Sequence, residues 1–135
     1  MIEEVYRDDY GSLLLDPEHG ILELSWFEST AGMTDDEFRG WLDRYASAAE
    51  EHHTQGLLVD LTSFRGKPSK QTGPWREEKI IPRYNAAGVK RFAYLQPAGS
   101  PTTVEGGTAP APEPVAEFPT GYFASRDRAE AWLTE

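Results

Sequence analysis

The side chains best suited to binding chemistry follow one short apolar segment. Residues 56–61, GLLVDL, lead into a stretch rich in Gly, Pro and Ser that also carries several cations. Pro74 favours the first turn of a helix, and the N–H groups of such a turn attract anions. The candidate ligand-binding residues are Arg65, Lys67, Lys70, Trp75, Arg76 and Tyr84. We expect the cations to face a small anionic or amphipathic molecule and the two aromatic rings to form an apolar wall. The alternative is a solvated basic face that balances an acidic protein.

The charge of the chain is strongly segregated. The 135 residues carry a net charge of −10, but residues 65–91 carry +6, which leaves −16 for the rest. An acidic total argues against a nucleic-acid partner, because binding to phosphates needs a concentration of Lys and Arg. A basic face on an acidic molecule also suits self-association, and we expect a homodimer.

Three residues at the end of the GLLVDL segment invite a chemical interpretation. Asp60 stands in an apolar run, where a carboxylate is costly unless it is paired or hydrogen-bonded. It is a candidate for a catalytic acid or base, and the alternative is that it caps the following turn. Thr62 and Ser63 are candidates for phosphorylation, although turn hydroxyls usually hydrogen-bond to the local backbone.

The residue types exclude several kinds of site. The chain has no cysteine, which rules out disulfides, thiolate metal sites and cysteine nucleophiles. His19 lies in a turn, and the neighbouring His52 and His53 point about 100° apart on a helix, so this pair does not share a metal ion. We predict no metal site and no cofactor.

The elements that position these residues can be read from the spacing of apolar side chains. Residues 13–15 and 21–27 have the composition of two strands joined by the short turn DPEHG, which predicts a β-hairpin. Thr34 and Glu37 match a capping box, so a helix begins there, and Gly56 is its expected stop. GLLVDL then reads as a buried central strand.

The second half of the chain continues the alternation of helices and strands. A helix runs from about Gly73 to Gly88, and Pro82 should kink or divide it. KRFAYLQ and TGYF are strands, and Ser125 caps a last helix. Between the two strands, residues 97–117 hold five prolines and three glycines and should form a mobile loop. The order β-β-α-β-α-β-β-α predicts one α/β domain, residues 1–135, with a mixed sheet and helices on its faces.

Two segments resemble a known family. Val59 to Thr62 with Phe64 is similar to the VDLT-x-F motif at the end of the central strand in SpoIIAA-like proteins of the STAS/SEC14-like superfamily. YFASRDRAEAWL, residues 122–133, is similar to that family's final strand and short helix. The resemblance implies a STAS (SpoIIAA-like) fold, self-association, and ligand or protein binding.

We therefore expect a non-enzymatic regulatory or binding domain. Its partner is a protein or a small anionic or amphipathic ligand, held at the strand-end crevice where ligands of α/β sheets commonly bind. The alternatives are an enzyme that uses Asp60 on an anionic substrate, and a phospho-regulated switch like the anti-anti-sigma proteins. The chain begins with acidic residues and has no long apolar run, which predicts a cytoplasmic protein without an integral membrane segment.

Overall fold

A seven-stranded mixed sheet with α-helices on both faces forms the structure, a computed structural model that describes residues 1–135. The strands are β1 (Glu3–Arg7), β2 (Gly11–Asp16), β3 (Ile21–Trp26), β4 (Gly56–Asp60), β5 (Arg91–Leu95), β6 (Ala111–Pro112) and β7 (Pro119–Phe123). The α-helices are α1 (Asp35–His52), α2 (Thr72–Lys79), α3 (Ile81–Ala87) and α4 (Arg126–Leu133). The predicted α/β class and mixed sheet are confirmed.

The strands lie in the order β1-β2-β3-β4-β5-β7-β6. β1, β2 and β3 pair antiparallel, β3, β4, β5 and β7 pair parallel, and β6 returns antiparallel along β7. β4 and β5 pair in parallel, so the loops that follow them leave the sheet at the same end. The predicted ligand site at the carboxyl ends of these strands requires this arrangement.

Alternation along the strands separates two cores. Leu57 and Val59 of β4 face the larger core under α1 and α3, whereas Leu58 faces a smaller core with Ala129 and Leu133 of α4. Side chains of a strand point alternately to opposite faces, so one apolar run serves both cores. This explains why GLLVDL shows no alternation in its sequence.

The ends of α1 show one confirmed prediction and one error. Thr34 is the N-cap: its hydroxyl accepts from the Glu37 N–H at 3.1 Å, and the Glu37 carboxylate accepts from the Thr34 N–H at 2.8 Å. The stop at Gly56 was wrong, because His53 ends the helix in the left-handed region at φ 50°. Gly56 instead begins β4.

Pro82 divides the second helix as predicted. α2 ends at Lys79 and α3 starts at Ile81, with Pro82 in its first turn and Ile80 between them. The division turns the chain so that Ile80, Ile81 and Tyr84 are all buried.

The predicted order of elements was incomplete, because it lacked both edge strands. β1 carries the charged sequence EEVYR, is largely exposed, and has a bulge between Glu4 and Tyr6, so it has no apolar alternation to read. β6 is only two residues long and interrupts the Pro/Gly-rich loop, which also holds a 3₁₀ turn at Val104–Gly106. None of the helices has the length and apolarity needed to cross a membrane.

Candidate functional site

An aromatic cavity of about 250 Å³ lies between the sheet and helices α1 to α3. Thirteen residues line it and twelve of them are hydrophobic, the exception being Arg76. Protein interiors are close-packed, so an unfilled volume of this size at the edge of the core is a candidate binding site.

The floor of the cavity is one row of the sheet. Leu24, Val59, Tyr94 and Tyr122 are successive partners across β3, β4, β5 and β7, so they point to the same face. The rings of Tyr94 and Tyr122 stack with their centroids 5.1 Å apart and their planes at 14°. Each of these residues lies in the carboxyl-terminal half of its strand. The cavity is therefore close to the carboxyl ends of the strands, where the ligand site was predicted.

The roof comes mainly from α1. Phe38, Leu42 and Tyr45 follow one another at helical spacing, so they share the face of α1 that packs on the sheet. Phe38 stacks on Trp26 at 5.4 Å, and Phe64 from the loop after β4 lies 5.3 Å from Trp26. Aromatic rings therefore form much of the wall, together with the aliphatic side chains of Leu24, Leu42, Val59 and Leu61.

Arg76 is the one charged group of the cavity wall, and it is already paired. Its two terminal nitrogens donate to the Glu113 carboxylate at 2.7 and 3.2 Å, and both side chains are mostly buried, with 15% and 19% exposed. Burial alone would lower the pKa of Arg76, but the field of Tyr94 and the hydrogen bonds to Glu113 raise it instead. Arg76 therefore stays charged throughout the pH range of a folded protein.

The tyrosine hydroxyls at the cavity differ in their partners. The Tyr45 hydroxyl donates to the carbonyl oxygen of Leu22 at 2.7 Å and lies 3.1 Å from that of Leu58. Among the tyrosine hydroxyls, those of Tyr6, Tyr10 and Tyr45 donate hydrogen bonds within the protein, whereas those of Tyr84, Tyr94 and Tyr122 do not. Burial raises the pKa of Tyr84 and of Tyr94, so both remain neutral donors. These groups can orient a ligand that carries an oxygen or nitrogen acceptor.

The structure brings together only two of the six predicted ligand-binding residues. Arg76 and Tyr84 line the cavity. Trp75 packs against the core beside it, and the Arg39 guanidinium lies 5.2 Å from the centre of its ring.

The remaining three cations lie on a different surface. Arg65, Lys67 and Lys70 are exposed, and the Arg65 N–H donates to the Thr30 hydroxyl at 2.8 Å. The loop is held further by the Ser69 N–H, which donates to Asp35 at the start of α1 at 3.1 Å. The loop is thus held to the 3₁₀ turn at Glu28–Gly32 and to the first turn of α1.

The three residues at the end of β4 lie on the opposite side of the sheet or in the turn. Asp60 accepts from Arg126 at 3.1 Å and from the Thr62 N–H at 2.9 Å, so it caps the turn and closes an ion pair. The Thr62 hydroxyl donates to the same carboxylate at 2.6 Å. Thr62 is exposed and Ser63 is half-buried.

A charge cluster around Arg126 was not anticipated from the sequence. Arg126 of α4 donates to Glu23 at 2.6 and 3.0 Å and to Asp60, and it lies 3.4 Å from Glu130. The side chain of Glu23 is 9% exposed. The hydrogen bonds to Glu23 raise the pKa of Arg126 further than burial lowers it. A usable signal was the position of Glu23 in the apolar strand ILELSW, because a carboxylate that is buried there needs a cationic partner.

Other residues of the cavity were also missed. Tyr94 and Tyr122 are direct partners across β5 and β7, which the sequence does not show because it does not fix the register of the two strands. Glu113 and Asn85, which fasten the Pro/Gly-rich segment, had no sequence signal either, because their partners lie 37 and at least 30 residues away along the chain.

One group of side chains at the hairpin has the spacing of a possible metal site. The side-chain oxygen and nitrogen atoms of Asp16, Glu18 and His19 lie within 4.8 Å of one another. The His19 ring nitrogen lies 2.8 Å from the Asp16 carboxylate, which explains the grouping without a metal ion.

Comparisons with known proteins found no match: no family model, curated protein or solved structure is significantly similar to the chain.

Proposed function

We propose that this chain is a non-enzymatic binding domain that holds a small, mostly apolar molecule in the aromatic cavity. The observation that carries the proposal is an unfilled volume of about 250 Å³ lined by twelve hydrophobic residues and one cation. Such a mixture of apolar walls and a few placed polar groups is typical of ligand sites.

The volume sets the size of the ligand. An engineered apolar cavity of about 150 Å³ is known to bind benzene. The present cavity therefore suits one aromatic ring with a short side chain, or an aliphatic chain of similar bulk. A lipid with two long chains does not fit within the closed structure.

The polar groups set its orientation. The unpartnered hydroxyls of Tyr84 and Tyr94, together with Arg76, favour a ligand whose polar end carries an acceptor. The apolar end then packs among Phe38, Leu42 and Val59.

We also propose a family, a cellular location and an oligomeric state for this chain. The VDLT-x-F segment and the final strand and helix support a STAS/SEC14-like domain, cytoplasmic and homodimeric, in which occupancy of the cavity regulates a protein partner. The segregation of charge supports self-association. Asp60, engaged with Arg126 away from the cavity, gives no support to an enzyme.

Native mass spectrometry of the gently purified protein, followed by NMR titration with benzyl alcohol and indole, tests the proposal. We expect either a co-purified small molecule or shift changes at the methyl groups of Leu24, Leu42 and Val59. Leu42→Phe narrows the cavity, so the shift changes at Leu24 and Val59 should be smaller, and Val5→Phe on the exposed strand β1 is the matched control. Absence of any adduct together with unchanged methyl shifts would contradict the proposal.

A further inference from the structure

Arg76 stands between the cavity and a carboxylate supplied by the protein itself. The guanidinium lines the cavity and also binds Glu113 through two hydrogen bonds. Thr120, which is 2% exposed, donates its hydroxyl to the same carboxylate at 3.1 Å. Together, Arg76 and Thr120 bind one carboxylate, and Arg76 is the member of the pair that reaches the cavity wall.

The segment that carries Glu113 is held mainly by polar contacts. We call residues 107–117 the strap. Besides the Arg76–Glu113 pair, Asn85 of α3 donates to the Val115 carbonyl oxygen at 2.9 Å and accepts from the Glu117 N–H at 2.9 Å.

The strap pairs with β7 through the two-residue strand β6, and among its apolar side chains Ala116 packs against the larger core. Val115 is 60% exposed, and its φ of 60° lies in the left-handed region, which is unfavourable for a β-branched residue. A segment with few buried apolar contacts and local backbone strain opens more readily than the core strands beside it.

We propose that the cavity binds monocarboxylates with an apolar tail, and that the ligand carboxylate replaces Glu113 on Arg76 and Thr120 as the strap opens. This inference rests on the proposed function of the cavity. A neutral ligand does not compete with Glu113 for Arg76. It therefore binds while the Arg76–Glu113 pair is intact and the strap is closed. Carboxylates bind with the strap open, and Glu113 acts as an internal competitor.

Exchange is favoured over simple addition by the balance of charge. A second carboxylate beside the intact pair would place two negative charges around one guanidinium in a poorly solvated site, where their repulsion is weakly screened. Exchange keeps one carboxylate on Arg76 and returns Glu113 to solvent, so the number of buried charges does not change.

Calorimetric titration with 3-phenylpropionate and 3-phenylpropan-1-ol tests the exchange, because the two probes share a skeleton and differ in charge. Glu113→Gln should raise the affinity for the acid by about tenfold or more, as expected when a charge-assisted competitor is removed. The affinity for the alcohol should stay within about twofold, since the alcohol leaves the pair intact. Glu117→Gln removes the same charge from the strap without touching Arg76, and it should change neither affinity.

Two further measurements keep the test decisive if Glu113→Gln fails to fold. Asn85→Ala loosens the strap without changing its charge, and it should also strengthen binding of the acid alone. In the wild-type protein, hydrogen exchange at the Glu117 amide should accelerate on addition of the acid and not of the alcohol, because only the acid opens the strap.

The two proposals fail in different ways. If neither probe binds to any variant, the cavity is not a ligand site and the proposed function is wrong. If the alcohol binds but the acid gains no affinity from Glu113→Gln or Asn85→Ala, the exchange is wrong and the cavity remains a site for neutral ligands.

Discussion

The two faces of the sheet bury their polar groups in different ways. On the α4 face, Arg126 pairs with both Glu23 and Asp60, so each of these carboxylates has a partner within the protein. On the α1–α3 face, hydroxyls of Tyr84 and Tyr94 lack partners beside an unfilled volume. The difference separates a cluster that stabilises the fold from a surface that can bind a ligand, although both contain an arginine paired with glutamate.

Loss of Arg126 should give the largest change in stability. Arg126→Met leaves Glu23 and Asp60 facing each other without a cation, and Glu23 is buried. Since Arg126 is itself 41% exposed, we expect a loss of about 2–4 kcal/mol in the free energy of unfolding, at or below the range for breaking a buried pair. Urea denaturation at neutral pH measures it.

Arg128→Met on the same helix is the matched control. Arg128 is 65% exposed and lies 4.0 Å from Glu105, so its loss should change the free energy of unfolding by less than about 0.5 kcal/mol. Equal effects of the two variants would show that the Arg126 cluster is not a distinct stabilising unit.

Added volume should have opposite effects on the two faces. A methyl group on Gly121 of the α4 face would lie 2.8 Å from Cε2 of Phe123, so Gly121→Ala should destabilise the protein by about 1–3 kcal/mol. Val59→Ile adds a methylene toward the cavity and should be neutral or stabilising by up to about 0.8 kcal/mol. Urea denaturation of both variants makes the comparison, and a marked destabilisation by Val59→Ile would contradict an unfilled cavity.

Local sequence signals predicted the helices and central strands that form the two faces of the sheet. The capping box at Thr34, the break at Pro82 and the apolar runs of β3, β4 and β5 are encoded within a few residues, so the helices and central strands could be recognised. The edge strand β1 could not, since charged and exposed residues show no hydrophobic alternation.

The site depended on contacts between distant segments. The cations of residues 65–70 and Arg76 stand close together along the chain, yet the hydrogen bonds of Arg65 and Ser69 turn the loop toward α1 and leave Arg76 alone at the cavity. Clustering along the chain overstated their proximity to one ligand. The tyrosine row emerges only when the register of β5 and β7 is known.

Removal of tyrosine hydroxyls should distinguish structural from binding groups on the cavity face itself. Tyr45→Phe leaves buried carbonyl groups of Leu22 and Leu58 without this donor and should lower the free energy of unfolding by about 1–2 kcal/mol. Tyr84→Phe removes a hydroxyl without a protein partner, so the change should be within about 0.5 kcal/mol. Urea denaturation measures both, and the affinity for 3-phenylpropan-1-ol should fall in Tyr84→Phe if that hydroxyl orients the ligand.

The smallest effect concerns the contact between Asp35 and Ser69, which holds the loop of Arg65, Lys67 and Lys70 to α1. Hydrogen bonds from Ser69 lower the pKa of Asp35 below its ordinary value of 3.8. A carboxylate with a lowered pKa stabilises its contact above the ordinary value, and this stabilisation is lost as the pH falls through the lowered one. The amide resonance of Ser69 should therefore titrate below pH 3.8, and the titration should vanish in Asp35→Asn. The methyl resonances of Leu42 and Val59 should stay unchanged through this step, because Asp35 and Ser69 do not line the cavity, although Phe64 of the same loop does; a shared titration would instead show that the two surfaces respond as one site.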